Sequence, residues 1–237
     1  ICPTSVKFRE TWGSADDHLQ LGISETAAQG SHAFRVVLGA GDDRKTEGGI
    51  EARIADTVKV LKRNRTRCLD SGIKIAMENH AGDMQAHEVV MLIEEAGGAS
   101  YMGANLDAGN AACTLEDPLE NLEIMGPYAA TTSLRDSAIW LSENGVTVQW
   151  TAMGRGNVDW VRYFDRFREL CPNVPVHIET ISGFNREIPF LTEEFMTQFS
   201  DLNAGTLSSY IKWARTGNPR QPWKAPYGPN AERPAHN

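Results

Sequence analysis

The chain has 237 residues, 41% of them apolar, with 21 Gly and 11 Pro, an ordinary globular composition that excludes a disordered polymer. Its 23 Lys and Arg against 31 Asp and Glu give a net charge of −8, which repels phosphate backbones and anionic lipid and excludes nucleic acid and membranes as expected partners. No apolar run nears the roughly 18 residues that cross a bilayer, and Ile1, Cys2, Pro3 and Thr4 carry no basic start before an apolar stretch, so a cytoplasmic protein is expected.

Cys2, Cys68, Cys113 and Cys171 lie far apart, without the short spacings of a structural zinc, and read as small core residues in a reducing compartment. A start at Ile rather than Met points to a missing N-terminal segment.

Short apolar runs alternate with helical patterns, the signature of parallel strands joined by crossover helices, so the class is α/β. The first clear strand is Phe34 to Leu38, apolar as a strand covered on both faces should be. A helix follows from Ile54 to Leu69, stopped by Gly72, then a strand from Ile73 to Met77. Next come a helix from Gln85 to Ala96, the Gly97-Gly98 break, a strand from Tyr101 to Leu106, a short helix near Leu119 to Ile124 and a strand from Tyr128 to Leu134. Val146 to Trp150 reads as a hairpin arm in a loop, and Val158 to Leu170 as a helix capped by Asn157. Pro172 and Pro175 frame a last strand, Val176 to Ile178. An apolar segment around Ile188 to Phe199, a helix from Thr206 to Ala214 and a Pro-rich tail complete the chain. No linker interrupts it, so one domain is expected over residues 1–237, with its core at 34–181.

The acids fall in a pattern. Glu78, Asp107 and Glu179 each close a strand, and Asp136 follows another, so four successive strands deliver a carboxylate at the C-terminal end. In a parallel α/β protein, and above all in a (β/α)8 barrel, sites are built on that rim. Converging carboxylates raise one another's pKa unless a cation neutralises them. Oxygen ligands favour Mn²⁺ or Mg²⁺, and a neighbouring imidazole, for which His80 is nearest in sequence, would admit Co²⁺ or Zn²⁺.

Met-Glu-Asn-His-Ala-Gly-Asp, Asn-Leu-Asp-Ala-Gly-Asn, Thr-Thr-Ser-Leu-Arg-Asp-Ser, Gly-Arg-Gly-Asn-Val-Asp-Trp and His-Ile-Glu-Thr, in this order over residues 34–181, resemble the xylose-isomerase-like TIM-barrel superfamily in its sugar phosphate isomerase/epimerase branch. The resemblance implies a (β/α)8 barrel. In ketose 3-epimerases of that family a Glu, an Asp, a His and a second Glu on strands 5 to 8 bind one Mn²⁺, and the two Glu exchange the substrate's proton. Glu78, Asp107 and Glu179 fall on three of those positions, with Glu78 and Glu179 as the implied catalytic pair. The family His falls on Ser133, a poor imidazole substitute, and Asn110 stands where a substrate-contacting His would be. On this alignment the segment near Ser5 to Phe8 is strand 3, so the barrel is incomplete at the N-terminus, with about six of its eight βα units.

The implied reaction is proton abstraction beside a sugar carbonyl, giving epimerisation or isomerisation, or elimination from a keto-glycoside when a leaving group sits β to the carbanion. His80, Asn110, Arg135, Asp136 and Trp140 are the candidate substrate contacts, with Trp150 a further aromatic wall. A small carbohydrate is the expected partner, and a homo-oligomer is a family expectation. Two rivals stand beside this reading. A nuclease would use the basic run Lys59, Lys62, Arg63, Arg65 and Arg67, but lacks a His-rich zinc site. A degenerate sugar-binding or structural barrel would have lost its metal with the His at Ser133.

Overall fold

The computed structural model describes residues 6–7, 13–181 and 184–221. Five strands, β1 (Val6–Lys7), β2 (Ala33–Val37), β3 (Lys74–Glu78), β4 (Met102–Leu106) and β5 (Ala129–Thr132), form a parallel sheet whose spatial order is their sequence order. Each crossover steps the same way, which curls a twisted sheet toward a barrel instead of leaving it open with a switch point. A bridge from Leu134 to Ile178 adds residues 177–179 beyond β5, with Leu134 N–H donating to His177 O at 2.8 Å and Glu179 N–H to Leu134 O at 2.9 Å. The curl is visible in one contact: Arg35, on the second strand, reaches Glu179, beyond the fifth. Among the described residues the sheet does not close.

The strand near Ser5 to Phe8 is present as β1, although Ser5 and Phe8 themselves lie outside the described residues. The expected last strand is reduced to the single bridge. Its outer edge has no described neighbour, and Ile178 remains 58% exposed.

Helices α1 (Ala15–Ala28), α2 (Gly49–Ser71), α3 (Ala86–Ala96), α4 (Pro118–Met125) and α5 (Trp160–Leu170) cover the outer face of the sheet. Helix α2 buries Ile50, Ile54, Val58, Leu61 and Cys68, one apolar stripe, and Gly72 ends it in the left-handed region at φ 67°. Helix α1 lacks such a stripe. Its buried face is Leu19, Gly22, Ile23 and Thr26, so only the Ser14 cap and the acids Asp16 and Asp17 mark its start in the sequence. Much of the basic run on α2 is spent on neighbours: Arg63 pairs with Asp16 at 2.5 Å, Lys59 with Asp56 at 2.9 Å, and Arg67 donates to Gln20 at 3.4 Å. Cys68, Cys113 and Cys171 are buried free thiols, as core residues should be, while Cys2 lies outside the described residues.

A second sheet is antiparallel. Strand β6 (Asp136–Ser142) pairs with β7 (Gly145–Thr151), the hairpin arm expected at 146–150, and β7 pairs with β8 (Asn185–Ile188). Asn157 does not cap α5. Asp159 does, accepting from Arg162 N–H, while the Asn157 amide exchanges two hydrogen bonds with Ile139 and pins its loop to β6. After the short α6 (Glu193–Met196), helix α7 (Ala204–Ala214) docks through Tyr210, whose hydroxyl donates to Ala112 O at 2.6 Å, and Trp213, which donates to Asn157 O at 3.0 Å. No described helix is long and apolar enough to cross a membrane.

Buried Glu116 ties α3 and α4 to the loop between them, accepting from Ala86 N–H at 2.9 Å, Thr114 Oγ1 at 3.1 Å and Asn121 Nδ2 at 3.1 Å. Burial pushes its carboxyl up to about 7. Between the ordinary glutamate range and about 7 the folded chain keeps a proton that the unfolded chain has released, so stability falls as pH rises through that window, by on the order of 3 kcal/mol. Thermal melts across that range should show the decline, and Glu116→Gln should flatten it.

Candidate active site

Strand register decides which side chains enter the barrel. Arg35 pairs with Ala76, Val37 with Glu78, Glu78 with Asn105, and Asn105 with Thr131. Side chains alternate along a strand, so Arg35, Glu78 and Asn105 share the inner face, and Asp107, Ser133 and Arg135 continue it at steps of two. The alternate residues Phe34, Val36, Ile75, Met77, Met102 and Leu106 belong to the hydrophobic core. The apolar strands are therefore two-faced near their C-terminal ends, and the inner face is charged.

Glu78 and Asp107 are fully buried there, and Glu179 is 21% exposed. Arg135, only 2% exposed, lies among them, with Nη2 2.6 Å from Asp107 Oδ2, 2.5 Å from Glu179 Oε2 and 3.8 Å from Glu78 Oε1. Its Nε also donates to Asp107 Oδ2, at 2.6 Å. Arg35 approaches from the other side, with Nε 2.8 Å from Glu78 Oε2 and Nη1 2.9 Å from Glu179 Oε2. The Asn110 amide spans two acids, donating to Glu78 Oε1 at 3.1 Å and to Asp107 Oδ2 at 2.9 Å. Above the cluster, the Arg135 guanidinium sits 4.1 Å from the Trp150 ring centroid, and Trp150 stacks on Phe184 at 3.9 Å.

Burial raises the Glu78 carboxyl well above the usual range, against the pull of Arg35, and raises Asp107 against the pull of Arg135. Burial alone would lower the Arg135 guanidinium, but Asp107 and Glu179 outweigh it and hold it firmly charged. Gly109 makes room for this side chain: a Cβ there would meet Arg135 Cγ at 2.3 Å and Arg135 O at 3.0 Å. Gly109→Ala should therefore cost about 1–3 kcal/mol by overpacking, read as a lower denaturation midpoint, and should displace Arg135 from the acids.

One oxygen from each of Glu78, Asp107 and Glu179 lies within 4.8 Å of the others, a span that suits the ligand shell of one small cation. Asn110 Oδ1 is a buried acceptor to which no hydrogen bond is made, while Glu78 Oε2 is held in its ion pair with Arg35. An oxygen-only donor set with one orphaned acceptor beside it fits a hard divalent cation.

The structure thus gathers Glu78, Asp107, Glu179, Asn110 and Arg135. Ser133 is buried on the same inner face but makes no contact with the acids, its hydroxyl donating to Asn105 Oδ1 at 3.3 Å. Asp136 is also outside the group, because its Oδ2 accepts the Gly156 N–H at 2.9 Å and holds a loop. The His80 ring has Nδ1 2.7 Å from Gly39 O, and burial pushes its pKa down to about 4, so it is neutral and leaves Nε2 as an acceptor. Trp140 pairs with Thr147 and lies on the opposite face of the hairpin from Trp150, which pairs with Ser137. The aromatic wall on Arg135 is accordingly Trp150. Arg35 went unrecognised in the sequence, although a charge inside Ala-Phe-Arg-Val-Val is the signal of a strand with a polar inner face.

No protein-family model matches the sequence, and comparison with curated proteins gives no match. Solved structures do match the fold. A xylose isomerase domain protein from Planctomyces limnophilus superimposes with a TM-score of 0.57 at 21% identity, over 88% of this chain and 69% of that one. For a xylose isomerase-like TIM-barrel protein from Mycobacterium smegmatis in complex with magnesium, the TM-score is 0.54 at 13% identity, over 83% and 68% of the two chains. A D-psicose 3-epimerase from Clostridium cellulolyticum H10, solved with D-tagatose, gives 0.56 at 11% identity, over 84% and 68%. The fold is that of the xylose isomerase-like TIM barrels, which is the fold the sequence motifs implied.

Proposed function

We propose that this protein is a divalent-metal-dependent sugar isomerase or epimerase, with Glu78, Asp107 and Glu179 as metal ligands and Glu78 and Glu179 as proton carriers. The observation that carries this reading is the meeting of three carboxylates, from three staves of the sheet, within 4.8 Å at its C-terminal rim. Proteins of the same fold were solved with magnesium and with D-tagatose, which supports a hard cation and a carbohydrate here. With no imidazole in the ligand set, Mn²⁺ or Mg²⁺ is favoured over Co²⁺ or Zn²⁺.

A cation in this cage would polarise a substrate carbonyl and acidify the neighbouring C–H. Glu179 is the accessible carboxylate, and it takes the proton at Oε1, because Oε2 is held by Arg35 and Arg135. Glu78 is the second carrier, so return of a proton to the same carbon epimerises and to the adjacent carbon isomerises. Arg35 and Arg135 hold the acids in place and offset their burial, while Trp150 and Phe184 screen the rim from water. His80 Nε2 and Asn110 Oδ1 are acceptors for substrate hydroxyls.

Incubation with ketoses and Mn²⁺ in D2O tests the reading. Deuterium should enter at the carbon beside the carbonyl, and chelator should stop it. A folded protein that exchanges no proton on any ketose or keto acid would overturn it.

A further inference from the structure

We infer that the substrate is a sugar acid whose carboxylate adjoins the reacting carbonyl. This rests on the metal-site reading above and names the substrate class for the same residues.

The argument begins with charge. Among the described residues, three carboxylates against two guanidiniums leave one negative charge when all three acids are ionised, as metal ligands are. A divalent cation held by those carboxylates would turn that into one positive charge, among side chains no more than 21% exposed. An uncompensated buried charge is costly, so an anion completes the site.

Arg135 shows where the anion meets the protein. Its Nη1 is buried and has no hydrogen-bond partner, on a side chain 2% exposed, so one donor of the fork is left for a ligand. That nitrogen can donate a charge-assisted hydrogen bond to a carboxylate oxygen, and the Trp150 ring against the guanidinium face fixes its plane. Position separates a carboxylate from a phosphate. The same guanidinium touches Asp107 and Glu179, so an anion bound to it lies next to the carbon that Glu179 deprotonates. A carboxylate on the adjoining carbon satisfies that placement. A phosphate at the far end of a sugar chain does not.

The test is a calorimetric titration of the full chain loaded with Mn²⁺, using 2-keto-D-gluconate, D-tagatose and D-fructose 6-phosphate as probes. The keto acid should bind at least tenfold more tightly than either of the others, and Arg135→Met should abolish that preference. Equal or tighter binding of D-tagatose, or preference for the phosphate, would overturn the inference on the native protein alone, whatever the variant does. A Mn²⁺ titration without sugar runs first. Metal binding without acid preference removes only the substrate class, whereas absence of metal binding removes both readings.

Discussion

Replacing Arg135 by Met is expected to lower the stability of the metal-free protein by about 3–5 kcal/mol, because it leaves buried Asp107 without its counter-charge and Glu78 with Arg35 alone. Burial already lifts both carboxyls above their usual range. Loss of the guanidinium lifts them further, so the folded chain binds protons that the unfolded chain has released. Stability is then retained below the unfolded carboxylate range and lost as pH rises through the folded one, which makes the defect smaller in acid and larger at neutral pH. Urea melts of the two proteins at both pH values measure the difference. Excess Mn²⁺ should recover more stability in Arg135→Met than in the native chain, because it restores the missing charge. Arg166→Met, which breaks exposed pairs with Glu123 and Glu169, should change nothing measurable. Equal effects from the two substitutions would show that Arg135 is not neutralising a buried cluster.

The second large effect concerns chemistry. Glu179→Gln keeps the side-chain shape and removes the accessible base, so the rate of proton exchange should fall by about 10²–10⁴-fold. Its thermal midpoint should move little, since Glu179 is the most solvated of the three acids. Asp107→Asn should behave differently. Both substitutions touch a metal ligand, but this one also removes the fully buried partner of Arg135 Nε and Nη2, so activity and stability should fall together. Steady-state rates beside melting curves separate the two. A Glu179→Gln enzyme at native speed would remove that residue from proton transfer.

Much of this arrangement was legible in the sequence. Strands β2 to β5 and helices α2 and α3 announce themselves because apolar periodicity and flanking glycines agree. The acids at Glu78, Asp107 and Glu179 were readable because a parallel sheet places successive strand ends on one rim. Other parts were hidden for physical reasons. Helix α1 packs through Gly22 and Thr26 and shows no apolar stripe. The strand β6 begins at Asp136 among polar residues, and its place is fixed by pairing with β7. The Asn157 cap was misread because Asp159, two residues later, offers the same chemistry and Asn157 has a partner in Ile139. The Val176–Ile178 strand shrank to a bridge because one side has no described strand to pair with. Arg135 was legible as a candidate substrate contact, but its place at the centre of the acids depends on Gly109, 26 positions away, leaving space for it.

The central claim is that Glu78, Asp107 and Glu179 hold one divalent cation. Calorimetric titration of Mn²⁺ and Mg²⁺ into the native chain and into Asp107→Asn, each followed by a thermal melt, tests it most directly. The expected result is one binding site in the native chain, stabilising it by about 2.7 kcal/mol at a hundredfold excess over Kd, and neither heat nor shift in Asp107→Asn. A native chain that melts cooperatively yet shows no binding heat and no shift with either ion would contradict it.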